Sequence, residues 1–141
     1  IEVGTAKLAS EVAEVTAQNV IVVGGPCANS AAATLMGNPA NCAEGFTEGK
    51  AMVKLVESAN GKVALLVAGA SAMDTRRAAR VLADYAKWQE KGVLKGTEVE
   101  VAGTSFTDIT VAAPAPKVVA VAPVVPVEPV VPVEPVVPVT T

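Results

Sequence analysis

The chain has 141 residues with a formal net charge of −3, and it contains no histidine. The low charge and the lack of a long basic cluster argue against nucleic-acid binding through phosphate neutralisation. Without histidine, the usual proton shuttle and the most common metal ligand are missing. No apolar run reaches the roughly 20 residues of a transmembrane helix, so no membrane-spanning segment is expected.

The first elements predicted along the chain are a helix, a strand and a second helix. Apolar residues at helical spacing predict a helix over residues 5–15. The run Val20–Val23 is continuous and β-branched, which is typical of a strand buried on both faces. Gly24-Gly25-Pro26 follows it, and because proline suits the first turn of a helix, we expect a helix over residues 27–36.

A second strand, a longer helix and two short strands are predicted next. Residues 49–58 fit either a short helix or an extended element, and Asn60-Gly61 is a turn dipeptide. Residues 62–69 predict a second buried strand. Ser71 and Asp74 then form a capping-box pattern that opens a helix over residues 72–87. Two alternating pieces, residues 97–101 and 108–111, predict a small antiparallel addition or an edge.

The order of these elements predicts the fold class. Two continuous apolar strands, each followed by a helix, favour an α/β fold with a mostly parallel sheet covered by helices. A small antiparallel addition would lie near the carboxyl-terminal end of this domain, which we place at residues 1–112. Residues 113–141 are an extended, low-complexity tail rich in proline and valine.

Proline recurs at every third position of the tail. From Pro123 to Pro138 the repeat unit is PVVPVE, and this period matches the three residues per turn of polyproline II. In that conformation eighteen residues from Pro123 onward would extend roughly 55 Å, so we expect a stalk or linker. The segment before it is free of proline and rich in strand formers, so it is a candidate to add to the sheet edge of a neighbouring copy. Its residues are Lys117, Val118, Val119, Ala120, Val121 and Ala122.

Cys27 and Cys42 are the two cysteines of the chain. In a secreted protein an even number of cysteines indicates a disulfide, which here would contribute about 3 kcal/mol in the chain-entropy account. The alternative is a pair of buried thiols in a reduced protein. With the tail in view, we favour the disulfide. Two cysteines without histidine do not complete a tetrahedral zinc site, and we expect no metal and no cofactor.

Two glycine-containing loops are the candidate ligand sites. Gly24-Gly25 and Gly69-Ala70-Ser71 each follow a predicted strand, so they would border the crevice in which α/β proteins hold ligands. Neither loop matches a dinucleotide fingerprint or a P-loop. The crevice therefore remains a candidate site for a wall glycan or a nucleotide, with weak sequence support.

Side chains near the second loop give little support to catalysis. Capping already explains Ser71 and Asp74, and Arg76 and Arg77 fit a solvated helix face. A nucleophile at Ser71 would need a base beside it, and no histidine is available. A hydrolase is therefore disfavoured.

Several segments, taken in chain order, share a pattern with one protein family. They are residues 19–27 (NVIVVGGPC), 48–51 (EGKA), 53–56 (VKLV), 61–70 (GKVALLVAGA), 74–85 (DTRRAARVLADY), 94–99 (LKGTEV), 103–105 (GTS) and 107–111 (TDITV). The pattern resembles the carboxyl-terminal domain of archaeal surface-layer (S-layer) proteins. The resemblance implies an extracellular module that packs into a two-dimensional lattice or other surface assembly, and it brings no catalytic residue.

The leading hypothesis is therefore a structural protein of the cell surface, not an enzyme, that self-assembles into an extracellular lattice or filament. Its tail would act as stalk, linker or inter-subunit strand, and its partners would be copies of itself. The alternative is an extracellular binding module that holds a cell-wall glycan or nucleotide in the crevice. Because the chain begins at Ile1, we interpret it as a mature or trimmed product.

Overall fold

A five-stranded sheet organises the fold. The computed structural model describes residues 5–116. Its strands are β1 (Val20–Val23), β2 (Lys50–Glu57), β3 (Val63–Gly69), β4 (Glu98–Gly103) and β5 (Ile109–Ala112). Its helices are α1 (Ser30–Leu35), α2 (Ala72–Ala83) and α3 (Tyr85–Glu90), and a 3-10 turn covers Ala9–Glu11. The strand order is β1-β3-β2-β4-β5, so β1 and β5 are the outer strands among the described residues.

The prediction of a mostly parallel sheet is wrong. β1 pairs with β3 in parallel, but β2 pairs antiparallel with both β3 and β4, and β4 pairs antiparallel with β5. The cause is the turn at Asn60-Gly61, where the Ser58 N–H donates to the Lys62 carbonyl at 2.8 Å and Gly61 has a φ of 77°. This turn closes a hairpin between β2 and β3. The sequence predicts antiparallel pairing only for a small addition near the carboxyl-terminal end of the domain. In the structure, antiparallel pairing extends over most of the sheet.

Helix α2 covers one face of the three central strands, which we call the α2 face. Ala78 and Val81 of the helix pack with Val67 of β3 and Val101 of β4 in one buried cluster. These side chains are small or β-branched, so helix and sheet approach closely, and Trp88 of α3 packs against the cluster as a partly buried residue. Burying each of the valine side chains stabilises the fold by roughly 1.5–3 kcal/mol.

The opposite face of the sheet, the α1 face, has a second and separate core. Val22 of β1 and Leu66 of β3 pack there with Ala32 of α1 and Val15. Phe46, from the long loop before β2, is partly buried against this cluster. Each face of the sheet therefore has its own helix and its own core.

The amino-terminal helix predicted over residues 5–15 is absent from the structure. Only Ala9–Glu11 is helical, as a 3-10 turn, and Val12 is extended with φ −106° and ψ 105°. Val15 is buried, whereas Leu8 is 69% exposed. The predicted apolar stripe thus has no continuous surface to cover, and a short isolated helix is marginal without such packing.

The other two predicted helices exist with different bounds. α1 begins at Ser30 instead of residue 27, because the Asn29 side chain caps it by accepting the Ala31 and Ala32 N–H groups. The helix predicted over residues 72–87 is interrupted at Asp84, which has φ −99° and ψ 28°. Both differences arise from local capping and chain bends that apolar periodicity does not register.

Candidate functional site

The two glycine loops lie side by side at the carboxyl ends of β1 and β3, as the sequence predicts. The Gly24 N–H donates to the Val67 carbonyl at 2.9 Å across the parallel pair. A Cβ atom on Gly25 would lie 3.2 Å from the Gly69 carbonyl oxygen. The loops therefore touch each other, and the lack of a side chain at Gly25 permits this approach.

Helix capping engages the polar groups of the second loop. The Ser71 hydroxyl accepts the Asp74 N–H at 3.1 Å, and an Asp74 carboxylate oxygen accepts the Ser71 N–H at 3.0 Å and the Ser71 hydroxyl at 2.8 Å. The Gly69 N–H donates to the Thr75 hydroxyl at 3.0 Å. These reciprocal bonds complete the predicted capping box. They give the helix a fixed start, and they use the Ser71 hydroxyl both as donor and as acceptor within the cap.

A buried ion pair within α2 lies close to the end of β4. Asp74 is 1% exposed and Arg77 is 6% exposed, and the Arg77 Nη2 atom donates to the second Asp74 carboxylate oxygen. The Arg77 Cδ atom lies 3.4 Å from the position of a Cβ atom on Gly103, at the end of β4. Arg77 thus lies between the capping box at the start of α2 and the turn that follows β4.

The sequence-based interpretation of Arg77 as part of a solvated face is wrong. Arg76 and Arg80, its neighbours on the helix, are exposed as expected. Arg77 instead turns inward because it lies three positions after Asp74, which is the spacing at which helical side chains meet. Its Nε atom is buried and has no partner among the described residues. The sequence signal for this inward orientation is the i,i+3 spacing between Arg77 and the capping residue Asp74.

The structure joins Cys27 and Cys42 in a disulfide, with Cα atoms 4.9 Å apart. Cys27 follows the Gly24-Gly25 loop, and Cys42 lies in the long segment between α1 and β2. The bridge therefore holds this segment, which has little regular structure, against the end of β1. No free cysteine is present among the described residues.

β1 exposes apolar side chains on the α2 face. Ile21 is 62% exposed and Val23 is 52% exposed, whereas Val22, which points to the α1 face, is 7% exposed. Helix α2 packs over β2, β3 and β4 and leaves this side of the outer strand uncovered. The prediction of a strand buried on both faces is therefore wrong for β1. A continuous apolar run does not reveal which strand will lie at the edge.

The tail leaves the domain over a groove on the α1 face. The groove has a volume of about 230 Å³, and Pro114, Ala115 and Pro116 form part of its wall. Two ion pairs cross from β2 to β4 on this face, Lys50 to Glu100 at 2.9 Å and Lys54 to Glu98 at 3.0 Å. The chain after β5 thus turns across the sheet. The candidate assembly segment, residues 117–122, and the PVVPVE repeat lie outside the described residues.

Residues 5–116 lack two features, a metal-binding cluster and a membrane-spanning helix. Within that range, no group of three or more cysteine or acidic side chains is arranged to hold a metal ion. No helix in the same range is long and apolar enough to cross a membrane.

Comparison with known proteins identifies the family. Residues 1–86 match a family model described as the S-layer like family, outer domain. No curated protein and no solved structure matches the chain. The matched region is more than half of the sequence and contains β1, α1, β2, β3 and α2, which confirms the resemblance to surface-layer proteins. The chain therefore belongs to the S-layer like family.

Proposed function

We propose that this protein is a structural subunit of an archaeal cell surface, which self-assembles outside the cell into a lattice or filament. The observation that carries the proposal is the match of residues 1–86 to the outer domain of the S-layer like family. Copies of the same chain are the main partners. The tail serves as stalk, linker or inter-subunit strand.

The chemistry of the domain supports a structural role. Ser71, Asp74 and Asn29, which border the two glycine loops, are engaged in helix caps. The most deeply buried charges, Asp74 and Arg77, pair with each other. These groups hold secondary structure together: the Asp74 carboxylate that contacts the Ser71 hydroxyl is buried and is engaged by the cap bonds and by Arg77, as in a structural helix start.

The disulfide and the tail support a place outside the cell. Disulfides persist in oxidising compartments and are rare in reduced ones, and the Cys27–Cys42 bridge pins a long irregular segment. Proline at every third position from Pro123 to Pro138 favours polyproline II, a semi-rigid conformation that would separate a domain from its attachment point. Both features suit a subunit that stands away from its anchor.

Electron microscopy of the purified full chain tests the proposal. We expect sheets, tubes or fibres with a regular repeat, over a range of salt and calcium concentrations. Immunogold labelling of intact cells should place the same antigen on the outer surface in ordered arrays. A protein that stays monomeric under all these conditions, or that is labelled only after the cells are opened, would contradict the proposal.

A further inference from the structure

The exposed side of β1 is the feature of the domain that the fold itself leaves unused. Apolar strand edges are usually protected by charge, proline, a bulge or a covering element, because they pair with other chains. β1 has the sequence Val-Ile-Val-Val without such protection, and Ile21 and Val23 are more than half exposed. This combination is typical of a surface that another chain covers.

The open edge of β1 is short and well defined. Since the Gly24 N–H points to β3, the alternation of a strand directs the backbone groups of Ile21 and Val23 to the open side. The Asn29 side chain donates to the Val23 carbonyl at 3.0 Å and so blocks the end of that edge. Backbone pairing is therefore possible along Ile21 and at the Val23 N–H, while both side chains offer an apolar contact.

We infer that residues 117–122 of a second copy of this chain cover β1 by adding a strand to its open edge. The inference rests on the proposed function, because it requires assembly. This segment is the proline-free stretch between Pro116 and Pro123, and it includes Val118, Val119 and Val121. β-branched residues favour strands, and alternate side chains of the added strand would lie on Ile21 and Val23.

The chain between β5 and Lys117 is too short for the donor segment to reach β1 of the same copy, so the contact joins different copies. Lys117 comes five positions after Ala112, the last residue of β5, and five residues span at most about 18 Å. The open side of β1 is five strand spacings from β5 in the order β1-β3-β2-β4-β5, which is roughly 24 Å. A strand that begins at Lys117 therefore falls short of its own β1.

The path of the tail also leads away from pairing with its own β5. Pro114, Ala115 and Pro116 line the groove on the α1 face together with Phe46, Met52 and residues of β4. The chain thus crosses the sheet instead of returning along the outer side of β5. Pro116, the last described residue, lies on the α1 face and not at the open edge of β1, so the contact is heterologous: it repeats from copy to copy and gives an open filament unless a ring closes.

Two sets of variants test the inference by complementation. The acceptor variant carries Ile21→Arg and Val23→Arg, and the donor variant carries Val119→Pro and Val121→Pro. Each should be monomeric by light scattering, because each lacks one half of the contact. An equimolar mixture should give a species of twice the 14.2 kDa chain mass, since one intact acceptor then meets one intact donor. Wild type should form larger assemblies.

Matched controls separate this contact from general effects of substitution. Leu8→Arg changes another exposed apolar side chain, and Val130→Pro adds a proline to the tail outside the donor segment. Both should assemble like wild type. Far-UV circular dichroism and thermal unfolding should show that every variant is folded.

The possible outcomes distinguish this inference from the proposed function. If wild type assembles and the acceptor variant, folded, assembles equally well, β1 is not the acceptor and the inference fails while the proposed function stands. If wild type never assembles, the proposed function itself fails. Residues 1–4 are another candidate segment to cover β1, and a variant that lacks them tests this alternative. If this variant does not assemble while the donor variant still does, the inference is overturned.

Discussion

Gly69 and Asp74 are so close that a Cβ atom on Gly69 would lie 2.5 Å from the Asp74 Cβ atom. The same added atom would be 2.6 Å from the Thr75 backbone nitrogen. The first turn of α2 is thus packed directly on the end of β3. Because the obstacle includes backbone, rotation of a side chain cannot relieve it.

We therefore expect Gly69→Ala to lower the free energy of unfolding by about 1–3 kcal/mol, since overpacking forces backbone shifts of this cost. Urea unfolding followed by circular dichroism measures the change. Ala70→Ser, at the exposed neighbouring position, is the control and should unfold like wild type. A Gly69→Ala protein with an unchanged midpoint would contradict the tight packing.

Removing Asp74 and removing Arg77 from the buried pair should lower the free energy of unfolding by clearly different amounts. Asp74→Ala removes the helix cap and leaves the Arg77 guanidinium buried without a counter-charge. We expect a loss of about 3–5 kcal/mol in the free energy of unfolding. Arg77→Met should cost less, because Asp74 keeps its bonds from Ser71.

Arg76→Met is the matched control for the pair, since Arg76 is exposed on the same helix. Its effect should stay within about 0.5 kcal/mol. Equal losses for Arg76→Met and Arg77→Met in urea unfolding would mean that the buried pair adds nothing beyond the general role of an arginine on this helix.

Removal of the disulfide should weaken the domain without changing its sheet. We expect the Cys27→Ser, Cys42→Ser double variant to lose about 2–4 kcal/mol, because the loop between the two residues is then released in the unfolded chain. Thermal unfolding with and without reductant measures this. Reductant should lower the Tm of wild type and leave the variant unchanged, and a reductant-insensitive wild type would contradict the prediction.

Truncation of the tail should separate folding from assembly. A chain that ends at Ala115 should keep the Tm of the full chain, since the buried clusters lie within residues 15–111, and it should no longer assemble. A chain that ends at Ala122 retains the candidate donor segment and serves as the control. We expect it to assemble, as judged by light scattering. Assembly by both truncated chains would mean that the tail is a spacer and not an inter-subunit strand.

Local signals in the sequence predicted a substantial part of the fold. Residues 62–69 identified β3 almost to its ends, and both bonds of the Ser71–Asp74 capping box are present. The adjacency of the two glycine loops also followed, because each loop ends a strand of one parallel pair. These features depend on residues that are neighbours in the chain or on the turn chemistry beside them.

Long-range pairing was not predictable in the same way. The Lys54–Glu98 ion pair joins β2 to β4, and nothing near either residue specifies that partner. The exposure of Ile21 depends on which strand lies outermost, which is a property of the complete sheet. Asn60-Gly61 is a hairpin signal in the sequence, and it indicates that the elements before and after it pair antiparallel, as in a mixed sheet.

The two outer strands of the sheet are unlike each other: β1 is bare and apolar, and β5 leads into the tail. Subunits joined by the tail of one copy and the β1 strand of the next would all point the same way, so the resulting polymer has polarity. One terminus would present a vacant β1 and the other an unused tail. Growth at the two termini would then proceed at different rates, and a ligand that caps one terminus would not cap the other.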